Sequence, residues 1–324
     1  MGAVTTLVTG ATGMVGSALA RRLVDDDVPV VAFVLDPDPQ TELYRSGTID
    51  AVAVVHGRLE DLDALERAIV VHEVDTVYHL GAQTIVGAAR RAPAITFESN
   101  IRGTWNVLEA CRRQGDLVRR VVVASSDKAY GTVDELPYTE AMPVGGTEPY
   151  EVSKACADLV TQTYGSAYGL PAAIARCGNI YGAGDLNWSR IVPGTIRSLL
   201  ADEAPVLRSD GSFVRDYLHV DDVVDGYLAL AAAVGDGTLA PGDACNLSNE
   251  SPLTVMDLYE AICAAADRPG TKPTILDHAP GEIHDQWLSA AKARKLLAWE
   301  PNVSLDDGLR RTVGWYRDVL AGMR

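Results

Sequence analysis

The sequence holds little that would make it a disulfide scaffold, a metal centre or a membrane protein. Its five cysteines, Cys111, Cys156, Cys177, Cys245 and Cys263, are scattered and odd in number. No Cys-x-x-Cys pair or Cys/His ligand spacing occurs, so neither a disulfide framework nor a metal site is expected. The six histidines are equally dispersed, with no His-Glu-x-x-His. No apolar run approaches the ~20 residues of a membrane span. A strand-like run begins almost at the first Met, so no signal peptide is expected, and a reduced cytoplasm is the expected compartment. Positive charge is also short: 28 Lys and Arg face 44 Asp and Glu, a formal −16. That disfavours nucleic acid and anionic lipid as partners. An anionic substrate would need a local basic pocket. Internal repeats and low-complexity tracts are missing too.

What is present is a chain of 324 residues, 47% hydrophobic and 22% charged, the balance of a globular protein with a large core. Short apolar runs alternate with helical patterns. "VTTLVTG", "VPVVAFVLD", "IDAVAVVHG", "VDTVYHLGA", "LVRRVVVASS" and "LPAAIARCG" read as six strands, apolar on both faces. "MVGSALARRLVDDD", "LDALERAIVVHE", "TFESNIRGTWNVLEACRRQ" and "PYEVSKACADLVTQTYGSAYG" read as helices between them. That alternation predicts an α/β fold, a doubly wound parallel sheet covered on both sides. After residue 177 Pro and Gly punctuate the chain more often. The expected division is a nucleotide-binding domain over 1–177, to which 220–247 returns through "HVDDVVDGYLALAAAV". A smaller C-terminal α/β substrate-binding domain takes 178–219 and 248–324.

Four motifs carry chemistry. "GATGMVG" places Gly10, Gly13 and Gly16 after the first strand and at a helix start. Such glycines let backbone approach a pyrophosphate, and the helix N-terminus offers N–H groups and a positive dipole end. Asp36 follows about 20 residues later at the end of the second strand, where an acid binds the adenosine ribose and repels a 2′-phosphate; this favours NAD over NADP. The alternative is that Asp36 only starts the turn "DPDP". In "PYEVSKA", Tyr150 and Lys154 stand four apart, on one helix face. An ammonium beside a phenol lowers the phenol pKa, and a phenolate can take a hydroxyl proton while NAD takes a hydride. The fourth is "SSDKAY": Ser126, Asp127 and Lys128 at the end of the fifth strand. An acid and a base there are either working groups or a salt bridge capping a loop.

"GATGMVG", "SSDKAYG", "YEVSK" and "GNIYGAGD", in that order, resemble the extended short-chain dehydrogenase/reductase superfamily, with its Rossmann-type sheet and its nucleotide-sugar epimerases and dehydratases. The resemblance covers nearly the whole chain. It is closest to CDP-glucose 4,6-dehydratases, through "SSDK", the loop "GAQTIV", "GAGDLNWSRIVPG" and "GEIHDQWLS". "RDYLHVDD" is nearer the epimerase pattern, and Arg58 stands where an Asp is usual near the adenine.

The resemblance implies an NAD site formed by Gly10, Gly13, Met14, Val15, Gly16, Asp36, Arg58 and Leu59. It continues through Leu80, Gly81, Ala82, Gln83, Asn100, Ala124, Ser125, Tyr150, Lys154 and Cys177. Gln83, Asn179, Arg190, Val192, Val206 and Arg215 are implied for a nucleotide-diphosphate sugar, the two arginines on the phosphates and the two valines at the base. Catalysis would fall to Ser126, Asp127, Lys128, Tyr150 and Lys154, with no metal. Lys128 would be the base at C5, or would hold a water or the Asp127 charge. The implied activity is 4,6-dehydration; 4-epimerisation, needing only Ser126, Tyr150 and Lys154, is the alternative. A homodimer through the two long helices is implied as well.

Overall fold

The computed structural model describes residues 4–133, 135–278 and 282–322. Six strands come first: β1 (Thr5–Thr9), β2 (Val30–Val34), β3 (Ala53–His56), β4 (Val74–His79), β5 (Arg120–Ala124) and β6 (Ala172–Cys177). The later strands are short: β7 (Asn179–Tyr181), β8 (Val206–Leu207), β9 (Val214–Arg215), β10 (Tyr217–His219), β11 (Ala244–Leu247), β12 (Leu253–Thr254), β13 (Thr274–Ile275) and β14 (Asp285–Gln286). A seven-stranded sheet runs β11-β6-β5-β4-β1-β2-β3, every neighbouring pair parallel. Strand order reverses between β1 and β4. That is where an open parallel sheet leaves a crevice at its carboxyl edge.

The strands are β-branched and apolar because helices cover both faces. All five residues of β2 and all six of β6 are buried. One core cluster joins Val8, Leu19, Tyr78 and Leu230 on one face, and another joins Leu7, Leu65, Leu108 and Val123 on the other. Two expectations change. β3 is an edge with Ala53, Val54 and His56 exposed, so it is not apolar on both faces. The second strand ends at Val34, leaving Asp36 in the following loop. A seventh strand, β11, has no counterpart among the six expected. It closes the other edge, fully buried under the helix Ala291–Leu297.

The long helix expected over 96–114 is a composite. Helix Pro93–Phe97 passes through one π turn, Glu98–Arg102, into helix Gly103–Arg113. Helix Pro149–Tyr168 starts on Pro149 with the Glu151 carboxylate accepting from the Glu148 amide at 3.3 Å, and stops at Gly169, φ +67°. The C-terminal half packs three helices, Ile191–Leu200, Val255–Ala265 and Leu305–Gly322, around Tyr181, Ile196, Leu258 and Tyr316. It carries the small pairings β7·β10, β8·β13 and β12·β9·β14. No described helix is long and apolar enough to cross a membrane.

Gly165 packs its bare Cα against Gly242, where a Cβ would stand 2.2 Å from the Gly242 amide. Alanine favours a helix by about 1 kcal/mol, but overpacking against backbone costs ~1–3 kcal/mol. Gly165→Ala is therefore expected to lower the melting temperature; a rise would show that the 240–242 turn yields.

Candidate active site

The carboxyl ends of β1, β4, β5 and β6 open into one cavity of about 1090 Å³, closed from the other side by the C-terminal half. Ligand pockets run from about 300 to 1,000 Å³, so this cavity stands at the upper end of that range. One end is built on glycine. Gly10 has φ +69°, and a Cβ there would lie 2.7 Å from the Gly81 amide. A Cβ on Gly16 would lie 2.1 Å from the Gly10 carbonyl oxygen. The first turn of helix Met14–Asp25, with Gly13, Met14, Val15 and Gly16, lines the cavity with its positive dipole end. Arg58, Leu59 and the turn Leu80, Gly81, Ala82 and Gln83 form the adjoining wall.

Asp36 is exposed and does not line this cavity; Asp38 does, with Phe33 and Leu35. The Asp38 carboxylate accepts from the Gln40 amide at 2.9 Å, capping the Pro-containing turn. Asn100 does not line the cavity either. It sits in the π turn, 2% exposed, and grips Gln83 from behind. Its Oδ1 accepts from the Gln83 amide at 2.7 Å, and its Nδ2 donates to the Gln83 carbonyl at 3.0 Å and to Ser153 Oγ at 2.9 Å. Ser153 in turn donates to the Tyr150 carbonyl at 2.8 Å. A buried relay completes this support. Thr9 Oγ1 and His79 Nδ1 are 2.8 Å apart, His79 Nε2 and Thr104 Oγ1 3.0 Å, and Thr104 donates to the Asn100 carbonyl at 2.6 Å. Burial, helped by the charge of Lys154, pushes His79 down to about 3. The imidazole is neutral, and sequence reading passed over it as one dispersed histidine.

At the other end lie the polar groups. β5 ends at Ala124, and Ser126 caps the 3-10 turn Asp127–Tyr130. Ser126 Oγ accepts from the Lys128 amide at 3.2 Å and donates to Asp127 Oδ1 at 2.8 Å. Among the described residues no salt bridge joins Asp127 to Lys128. Asp127 is 4% exposed. Burial pushes Lys128 below the ordinary lysine range; Asp127, Glu151 and Glu282 oppose this and Arg215 adds to it. Tyr150 shares a side-chain hydrogen bond with Ser126. Burial raises the phenol to about 12, and Arg190 is the cation that opposes the rise.

Lys154, expected to lower Tyr150, is anchored at the end of β5. Lys154 Nζ donates to the Ala124 carbonyl at 2.8 Å, and burial lowers it to about 8, with Cys177 and Asp158 opposing. Ala124, Ser125 and Cys177 line the cavity beside it. Cys177 and Tyr227 share a hydrogen bond, and burial raises the thiol to about 12.

Asn179, Arg190, Val192, Val206 and Arg215 all face the same cavity. Arg190 donates to Asp185 at 3.2 Å. Arg215 is largely buried and directs its guanidinium at the carbonyls of Val214, Ile283 and His284. Val192 is buried and Val206 is 54% exposed at the rim. Trp188, Arg208, Phe213, Tyr227 and His278 also line the cavity and were not singled out in the sequence. Trp188 stood inside a quoted motif, two residues before Arg190; the others come from separate segments and share no local pattern. In the stretch "GEIHDQWLS", Gly281 lies outside the described residues, Glu282 reaches the cavity, and His284 packs on Phe213 at 4.6 Å. Local positive charge is present in Arg58, Lys128, Lys154, Arg190, Arg208 and Arg215, but Asp38, Glu60, Asp127, Glu148, Glu151, Asp185 and Glu282 line the same cavity, so its wall is mixed rather than basic. No metal cluster occurs among the described residues, where the five cysteines are free.

The NAD dependent epimerase/dehydratase family model matches residues 6–241. A UDP-glucose 4-epimerase of Mycolicibacterium smegmatis is 30% identical over 97% of this chain and 98% of its own. A CDP-glucose 4,6-dehydratase of Salmonella typhimurium is 27% identical over 97% and 91%. The chain spans about half, 46%, of a trifunctional UDP-glucose 4,6-dehydratase of Arabidopsis thaliana at 29% identity. Among solved structures, a dTDP-glucose 4,6-dehydratase of Streptomyces venezuelae with NAD bound superposes with a TM-score of 0.86, at 29% identity, covering 97% of each chain.

Two outcomes are expected here. Gly16→Ala pushes a methyl into the Gly10 carbonyl and should weaken NAD binding, measured by fluorescence titration, by at least about tenfold. An unchanged affinity would place the pyrophosphate elsewhere. The His79 ring should show no titration by NMR between about pH 5 and 8. Because the unfolded chain binds a proton that folded His79 refuses, this group lowers stability as pH falls from 6.5 towards 3.

Proposed function

We propose that this chain, which belongs to the NAD dependent epimerase/dehydratase family, is a nucleotide-sugar 4,6-dehydratase. The reaction converts a nucleoside-diphosphate hexose into its 4-keto-6-deoxy form and water. The supporting observation is one turn of chain: Ser126, Asp127 and Lys128 line the cavity together, and the half-buried Lys128 is held below the ordinary lysine range. Four-epimerisation has no use for that acid–base pair.

The glycine cradle and the size of the cavity fit NAD, held between Gly10–Gly16, the 80–83 turn and Lys154. NAD, when bound, would supply the hydride acceptor for C4 and the hydride donor for C6. Tyr150 removes the C4 hydroxyl proton, and Ser126 holds that oxygen. The resting phenol is protonated, so Tyr150 works as a base only with added positive charge beside it; Arg190 supplies part of that charge. A keto group at C4 acidifies C5–H. Lys128, neutral more readily than an exposed lysine, takes the C5 proton, and Asp127 gives a proton to the departing C6 hydroxyl. The bond C5=C6 forms as water leaves. The Lys128 ammonium, exchanging with solvent, then gives a proton to C5 as C6 is reduced.

Residues 1–177 with 220–247 hold the dinucleotide in this reading, and 178–219 with 248–324 hold the nucleotide sugar. Arg190 and Arg215 would meet the diphosphate, Asn179 and Gln83 the sugar, and Val192 and Val206 the base. Asp36 would reach the adenosine ribose only by turning from solvent. The chain would act in the cytoplasm as a homodimer, burying Trp105 and Leu159, which are 42% and 49% exposed on the two long helices.

CDP-, dTDP- and UDP-glucose, supplied separately, should include one that gives a 4-keto product absorbing in alkali. Asp127→Asn should reduce that conversion by at least about 100-fold, the usual scale of lost acid catalysis. Should the wild type instead invert C4 with no loss of water, and Asp127→Asn leave that inversion standing, the chain is an epimerase.

A further inference from the structure

The loop 125–130 is held at both ends by one buried ion pair. Asp158 and Arg176 are 0% and 3% exposed in their side chains. Arg176 presents its fork to Asp158, Nε to Oδ2 and Nη2 to Oδ1, each at 2.8 Å. Asp158 also accepts from Ser125 Oγ at 3.0 Å, at the start of the loop. The third edge of the guanidinium, Nη1, donates to the Tyr130 hydroxyl at 2.8 Å, at the end of the loop. That hydroxyl donates onward to Asn246 Oδ1 on β11 at 2.7 Å, and the Arg176 guanidinium lies 4.8 Å over the Tyr130 ring. Asp158 itself stands one helical turn beyond Lys154, on the helix that carries Tyr150.

A buried ion pair is a poor way to add stability, because desolvation takes back most of the Coulomb gain. A fully satisfied network does fix geometry. Here its ends meet the two hinges of a single loop, and its anchor is the helix bearing the other two working side chains. We propose that Asp158, Arg176 and Tyr130 are positioning residues that set the register of Asp127 and Lys128 against Tyr150 and Lys154.

The inference rests on the dehydratase reading for its consequence in turnover. Loss of the clamp lets the loop shift and admits more water to Lys128, which already stands at the cavity wall. The groups facing that ammonium are Asp127 on its own turn, Glu151 on the helix, Arg215 on β9 and Glu282 before β14. With water admitted, their fields are screened and burial no longer holds the ammonium down.

Asp158→Asn and Arg176→Met would leave a buried charge unpaired and unfold much of the protein. Tyr130→Phe keeps the ring and removes only the hydroxyl; Arg176→Lys keeps the charge and removes the fork. Two readouts are needed. In the protein without substrate, competitive labelling of Lys128 by acetic anhydride, followed by mass spectrometry across pH, should show its titration moving up in both variants. In turnover of CDP-, dTDP- or UDP-glucose, kcat should fall about tenfold or more. KM should stay within about twofold, and the acid limb of the kcat profile should move to higher pH. Wild-type labelling and an unmoved pH profile in Tyr130→Phe would overturn the proposal, as would a fall in kcat that only tracks the fraction folded. Labelling needs no turnover, so it reads the clamp even if the wild type proves to be an epimerase.

Discussion

Parallel strands cannot be joined by tight turns, so each must end at the same edge of the sheet and hand the chain to a helix. That constraint gathers this site. β1 delivers the glycine turn, β4 the 80–83 turn, β5 the loop of Ser126, Asp127 and Lys128, and β6 runs through Arg176 to Cys177. Residues more than a hundred positions apart meet because they follow strands that lie side by side. The C-terminal half adds Arg190, Arg208 and Arg215 across the opening. An acidic chain of net −16 thereby gathers several of its scarce cations at one opening, among carboxylates.

Closure of that edge has an electrostatic consequence. Removing an ammonium from water disfavours its charge, and removing a phenol disfavours its ionisation. Lys128 and Lys154 move down and Tyr150 moves up. The first change suits a C5 base. The last makes Tyr150 depend on neighbouring cations, with Arg190 already in place. Two buried networks hold these groups. One runs from Thr9 through His79, Thr104 and Asn100 to Ser153, and supports Gln83 and the start of helix Pro149–Tyr168. The other is the Asp158–Arg176 pair.

The parts visible in sequence were those with local signatures. Short apolar runs marked six of the seven sheet strands, and glycine spacing marked the turn at Gly10–Gly16. The four-residue Ala244–Leu247 was too short, between Pro241 and Ser248, to read as a strand; its place beside β6 is a long-range pairing. Edge position was equally hidden, since Ala53–His56 looks apolar in sequence and is exposed only because nothing pairs beyond it. Asp36 had the right spacing, but Pro37 and Pro39 turn the chain so that Asp38 faces the cavity. Lys154 had the right spacing to Tyr150, and what the sequence did not show is that the Ala124 carbonyl at the end of β5 anchors its ammonium. His79, Arg208, Phe213 and Tyr227 carried no motif, and only the folded chain brings them to the site.

The central claim is that Lys128 and Asp127 remove water across C5–C6 of a nucleotide-bound hexose. Its most direct test is turnover of CDP-, dTDP- and UDP-glucose in deuterated water, with the product read by mass spectrometry and NMR. The account predicts a 4-keto-6-deoxy sugar that has lost one water and carries deuterium at C5. A product of unchanged composition, inverted at C4 and unlabelled at C5, would contradict it.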